Sequence, residues 1–140
     1  MSDAAESEAI DPEAIDPEVL ELAGRVFDAA RSGDASALAG YLDAGVPPNL
    51  CNDRGDTLVM LAAYHGHADA VRALLGRGAE ADRPNDRGQT PLAGAVFKGE
   101  DAVIDALLDG GADPFAGQPS AFVTAQMFRR TALLERFGPR

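Results

Sequence analysis

M-L-A-A-Y-H-G-H-A-D-A-V-R-A-L-L-G-R-G, from Met60 to Gly78, reads as two short helices divided at Gly66 and stopped at Gly78. The same order of glycines and apolar residues stands 33 residues earlier, in F-D-A-A-R-S-G-D-A-S-A-L-A-G-Y-L-D-A-G (Phe27 to Gly45). It returns 33 residues later, in A-G-A-V-F-K-G-E-D-A-V-I-D-A-L-L-D-G-G (Ala93 to Gly111). Gly33, Gly66 and Gly99 fall in register, as do Gly45, Gly78 and Gly111. A loop-helix-helix unit of this length cannot enclose a core of its own, so it must stack on copies of itself. The fold class is therefore an all-α repeat solenoid.

Outward from that stretch, each unit carries its own punctuation. Asp16 is placed to cap a first helix, Pro17 suits its first position, and Val19, Leu20, Leu22, Ala23, Val26, Phe27 and Ala30 recur at helical spacing, which predicts a helix from about 17 to 31. Ser32-Gly33 ends it and Asp34 caps the next, whose Leu38, Tyr41 and Leu42 face the following unit before Gly45 stops it. Thr57 and Thr90 are the corresponding caps further on, with Pro91 at a first helical position, and Asp101 is read as a cap as well. Between units, Asn52-Asp53-Arg54-Gly55-Asp56 and Asn85-Asp86-Arg87-Gly88 are dense in turn-forming residues and should project as hairpin-like fingers. After Gly111 the interval shortens by three, the finger is shorter, and Thr131 to Phe137 makes a truncated last helix with Arg129 and Arg130 beside it, as befits a terminal unit facing water. About four units result, near 17–49, 50–82, 83–115 and 116–140.

These residues resemble the ankyrin repeat. Its pattern, G-x-T-P-L-H-x-A-A-x-x-G-H followed by V-x-x-L-L-x-x-G-A, is met by Gly55, Thr57, Ala62, Ala63, Gly66, His67, Val71, Leu74, Leu75, Gly78 and Ala79. It is met again by Gly88, Thr90, Pro91, Leu92, Ala95, Gly99, Val103, Leu107, Gly111 and Ala112. Leu58 stands where proline is usual, Met60 and Ala93 replace the histidine, and Gly94 should weaken its helix by about 1 kcal/mol relative to alanine. The resemblance covers about residues 20 to 137, and as a whole the chain looks like the small stand-alone ankyrin proteins of bacteria. It implies a non-catalytic adaptor or inhibitor that binds another protein through finger tips and the concave groove of the first helices. The alternative is an immunity-type or stabilising subunit of one obligate partner.

Aligning the units singles out positions that need no structural explanation, namely those after the two small residues of each first helix and those flanking each finger glycine. On the helices these are Arg31 and Ser32, Tyr64 and His65, Phe97 and Lys98, and then Met127 and Phe128. On the fingers they are Leu50, Asp53, Arg54 and Asp56, then Arg83, Asp86, Arg87 and Gln89. Tyr64, Phe97 and Met127 or Phe128 occupy equivalent slots and should form a line across the groove, with the composition of an interface core rimmed by charged finger residues. The competing reading folds the rings back over a helix turn or the next unit, and Phe128 is expected to do so as part of the terminal cap. Four units spaced about 8 to 10 Å apart give a groove some 30 to 40 Å long.

Other chemistry is poorly supported. His65-Gly66-His67, with Asp69 and Cys51 as imaginable companions, falls short of three convergent metal ligands, and the resemblance gives His67 the task of tying adjacent loops. No Ser-His-Asp or Cys-His pairing is suggested, and the glycines lie at turns rather than in a phosphate-cradling loop, so no enzyme and no cofactor are expected. The chain of 140 residues carries a net charge of −11, unevenly placed. Residues 1–20 hold seven acids and no bases, which leaves sixteen acids against twelve bases elsewhere. With no basic stripe, nucleic acid is not an expected ligand. Cys51 is alone, so no internal disulfide forms, and neither a signal peptide nor a membrane span is visible. A cytoplasmic monomer with a disordered acidic tail at 1–15 is the expectation. That tail is either a solubilising extension or a segment that folds onto a basic partner or the groove.

Overall fold

The computed structural model describes residues 16–138; the tail expected at 1–15 lies outside the described residues. Five of the eight helices among the described residues begin where a polar side chain takes an orphan backbone N–H. Asp16 accepts from Glu18 N to open α1 (Pro17–Ser32), and Asp34 accepts from Ala37 N to open α2 (Ala35–Asp43). Thr57 does the same for α3 (Leu58–Tyr64) through Met60 N, and Thr90 for α5 (Pro91–Lys98) through Ala93 N. Both threonines are buried, so each cap also satisfies a donor that water cannot reach. α4 (Ala68–Leu75) and α6 (Asp101–Asp109) follow tight turns, and Ser120 caps α7 (Ala121–Met127) before α8 (Thr131–Phe137).

One cap differs from expectation. Glu100 holds the position ahead of α6 without a side-chain cap bond, and Asp101 lies inside the first turn. Its carboxylate turns outward to accept from Arg130 at 2.8 Å. A carboxylate there still suits the positive end of the helix, and the ion pair with the next unit fixes its direction.

The helices form two layers. α1, α3, α5 and α7 stack in sequence as the inner layer, while α2, α4 and α6 stack behind them and α8 backs α7. Leu38, Leu58, Val59, Leu74, Leu92, Ile104 and Leu107 are fully buried in one cluster that runs from Ala23 to Leu133. Burying each such side chain contributes roughly 1.5–3 kcal/mol, and neighbouring units supply the walls. Small residues on the inner helices, Ala62, Ala63 and Ala95, let those helices approach closely.

Polar ties set the register between units. A Cβ on Gly33, whose φ is +78°, would sit 2.4 Å from the His67 ring, which packs on that turn while Nε2 donates to the Arg31 carbonyl at 2.8 Å. Glu100 lies against Gly66 in the equivalent place. In the loops, Asn49 Oδ1 accepts from Glu80 N at 2.8 Å, and Asp82 Oδ1 accepts from Asp113 N at 2.9 Å one unit later. Across the outer layer Arg72 pairs with Asp109, Arg77 with Asp43, Arg130 with Asp101 and Arg136 with Asp105. Among the described residues no helix is long and apolar enough to cross a membrane.

Candidate functional site

The fingers are built by their own asparagines. Asn52 Oδ1 accepts from Arg54 N and Asp56 N, and Asn52 N donates to the Asp56 carbonyl, folding the chain back on itself next to an isolated bridge between Cys51 and Thr57. Asn85 repeats this with Arg87 N, Gln89 N and the Gln89 carbonyl. The fingers are also joined to each other: Asp86 N donates to the Arg54 carbonyl at 3.0 Å, and Asn85 Nδ2 donates to Asp56 Oδ1 at 2.9 Å. Because each finger is braced by the next, their tips form a fixed wall.

Between that wall and the inner helices runs a cleft of about 580 Å³. Arg31, Asp53, Arg54, Asp56, Tyr64, His65, Asp86, Arg87 and Gln89 line it, together with Asn52, Asn85, Met60 and Leu61. These positions were separated in sequence by up to 58 residues, from Arg31 to Gln89, and the stacking of units brings them to one surface. Phe97, Lys98 and Met127 continue the same inner-helix positions beyond the cleft.

Along the inner helices the large side chains are exposed. Tyr64 is 52 % exposed, Phe97 67 %, Met127 67 % and Phe128 48 %. Phe128 therefore corrects the expectation that it packs into the terminal cap. It stands edge-on to Phe97 with ring centroids 5.7 Å apart, because Thr124, Ala125 and Leu133 already fill the buried side of the last unit. Tyr64 meets His65 edge-on at 5.4 Å, and Lys98 Nζ lies 4.0 Å above the tyrosine ring while donating to the Tyr64 carbonyl at 2.9 Å. That ammonium thus joins two units by a hydrogen bond and a cation–π contact. Burial, and after it the charges of Lys98, His67 and Arg31, hold the His65 imidazole below its ordinary pKa.

Not every expected site residue is presented. Leu50 is half-buried against the core cluster and belongs to the packing of its loop, which removes it from the candidate surface. Asp56 is half-buried and bonded to Asn85, Arg83 is half-buried and already engaged, and Gln89 Oε1 accepts from Asn85 Nδ2 at 2.8 Å. Arg31 is exposed and paired with Asp28 in its own helix. Asn52 and Asn85 were missed as cleft-lining residues, although their place ahead of each Asp-Arg-Gly was the available signal. His67 is committed to the Arg31 carbonyl, and among the described residues no group of three His, Cys, Asp or Glu could hold a metal ion.

Comparison with known proteins agrees with the repeat fold. The family model for ankyrin repeats in three copies matches residues 26–117. Over 44 residues the chain is 49 % identical to a Pseudomonas aeruginosa protein named as an ankyrin repeat protein, covering 31 % of this chain and 26 % of that one. The crystal structure of the ankyrin repeat domain of human ASB11 superposes with a TM-score of 0.60 at 31 % identity, covering 64 % of this chain and 40 % of that one. The chain thus spans about a quarter of the curated relative and two fifths of the solved one.

Proposed function

Because the chain belongs to the ankyrin repeat family, whose repeats generally serve as protein–protein interaction modules, we propose that it is a non-catalytic adaptor or inhibitor that binds its partner in the groove and at the finger tips. The exposed row of Tyr64, Phe97, Met127 and Phe128 carries the proposal. An isolated soluble protein gains nothing from holding four large apolar side chains in water on one surface, whereas an interface core is rich in such residues. The braced fingers favour the same reading, since a wall that does not have to be ordered on binding lowers the entropic cost of association. A cytoplasmic location and a monomeric free state belong to this proposal.

The test compares the intact protein with a Tyr64→Ala/Phe97→Ala variant in affinity capture from native lysate. Both residues are more than half exposed, so the melting temperature should stay within a few degrees, as for surface substitutions of about 0.5 kcal/mol or less. A partner kept only by the intact protein supports the groove. Retention of the same partner by both baits would sink the proposal.

A further inference from the structure

The chain has two histidines and one lysine, and all three meet at the carboxyl end of α3. His65 follows Tyr64 directly and stands edge-on to its ring, with centroids 5.4 Å apart. His67, on the other side of Gly66, lies 6.5 Å from His65 with its plane inclined by 22°. From the next unit Lys98 brings its ammonium to 4.0 Å from the centre of the Tyr64 ring and donates to the Tyr64 carbonyl at 2.9 Å. That carbonyl is one of the orphan acceptors at the end of a seven-residue helix, so the lysine closes α3 and clasps the second unit to the third.

Charged groups approach His65 from every element around it. α1 brings Arg31 with Asp28 bonded to it, and α4 brings His67 ahead of its first residue and Asp69 in its first turn. α5 and the turn after it bring Lys98 and Glu100, whose carboxylate lies against Gly66. The fingers across the cleft add Asp53, Asp56 and Asp86 beside Arg54 and Arg87. Burial is the largest influence on the imidazole, and Lys98 is the largest of the charges, ahead of His67 and Arg31; all four disfavour its protonated form.

We infer that the Lys98–Tyr64 clasp is opened by a proton on His65. A charged imidazole sets a second cation against the ring and the helix end that the ammonium already serves, so the two repel and compete for the same electron-rich face and the same negative helix terminus. With His65 neutral the ammonium keeps both contacts and the units are joined; with His65 charged the ammonium withdraws and the joint at the groove floor loosens. His67 takes no part in the opening, because its Nε2 can donate to the Arg31 carbonyl in either charge state. The device belongs to the free protein and does not depend on what occupies the groove.

The sign of its effect on stability follows from linkage. The folded value of His65 lies below the unfolded one, so the unfolded chain takes the proton more readily and stability falls as pH drops through about 6.5. Asp82 acts with the opposite sign and in more acid solution, and comparison of the parent with His65→Gln cancels it.

The test is proton NMR of the free full-length protein titrated from about pH 8 to about pH 5, beside His65→Gln, Lys98→Met and Lys98→Arg, with circular dichroism to confirm that each is folded. The parent should show His65 titrating below about 6.5, and Overhauser contacts between the Lys98 side chain and the Tyr64 ring that disappear with the His65 midpoint. His65→Gln should keep those contacts through the whole range and show a urea midpoint that falls less than the parent's between neutral and acid solution. Lys98→Met should shift the His65 midpoint upward, and Lys98→Arg should restore it. Persistence of the Lys98–Tyr64 contacts in the acid parent overturns the inference, as does their equal loss in His65→Gln. A His65 midpoint that is indifferent to Lys98→Met overturns it as well, since the imidazole and the ammonium would then not be coupled.

Discussion

Single residues show where the repeat departs from itself and what that costs. Gly33, Gly66 and Gly99 turn the chain between paired helices with φ of +78°, +82° and +72°, and in the last unit Arg129 takes the same turn at +56°. A side chain in the left-handed region costs roughly 1–2 kcal/mol, so Arg129→Gly should raise stability by about 1 kcal/mol, read as a higher urea midpoint with an unchanged slope. The opposite kind of departure sits at Asp82. Burial first, and then the Asp113 charge, push its carboxyl above the ordinary range, although the Asp113 N–H it accepts pulls the other way. With the folded value above the unfolded one, the folded protein holds the proton more firmly, and the ionised form weakens the fold at neutral pH. Asn49 makes the equivalent bond to Glu80 N without a charge. Asp82→Asn should therefore keep the loop bond and raise the melting temperature at pH 7, with the advantage shrinking as acid protonates Asp82 in the parent. Thermal melts at neutral and acidic pH compare the two, and an equal or lower melting temperature for the variant at pH 7 would refute the account.

At the scale of the element, most helices are too short to stand alone and depend on caps and neighbours. α3 and α7 have seven residues each, and their caps are the buried Thr57 and Ser120. Gly94 inside α5 is the weak place: nothing lies within 4 Å of a Cβ added there, since it occupies the slot that Leu61 fills in the unit before. Gly94→Ala should stabilise by about 0.5–1 kcal/mol through helix propensity alone, measurable by denaturant unfolding. Caps at Asp16, Asp34, Thr57 and Thr90 were legible because Asp or Thr precedes each apolar run. The direction of Asp101 was not. Its carboxylate answers to Arg130, 29 residues away, and local sequence carries no record of that meeting.

For the whole molecule, stability should follow position in the stack. α3 packs on α1, α4 and α5 and buries Leu58, Val59 and Ala62 completely, whereas α8 contributes only Leu133 to the buried set. Native-state hydrogen exchange should find the slowest amides in α3 and α5 and the fastest in α8 and the first turn of α1; uniform protection along the chain would contradict a stack of coupled units. By itself the sequence determined the repeat solenoid and the set of candidate groove positions, because glycine spacing and apolar period are local properties that each unit must satisfy to stack at all. Only the tertiary structure decided which of those positions are presented. Leu50 turned inward, Asp56 was taken by Asn85, and Phe128 was left outside, because each outcome depends on the space and partners supplied by the adjoining unit rather than on the residue's own neighbours in the chain.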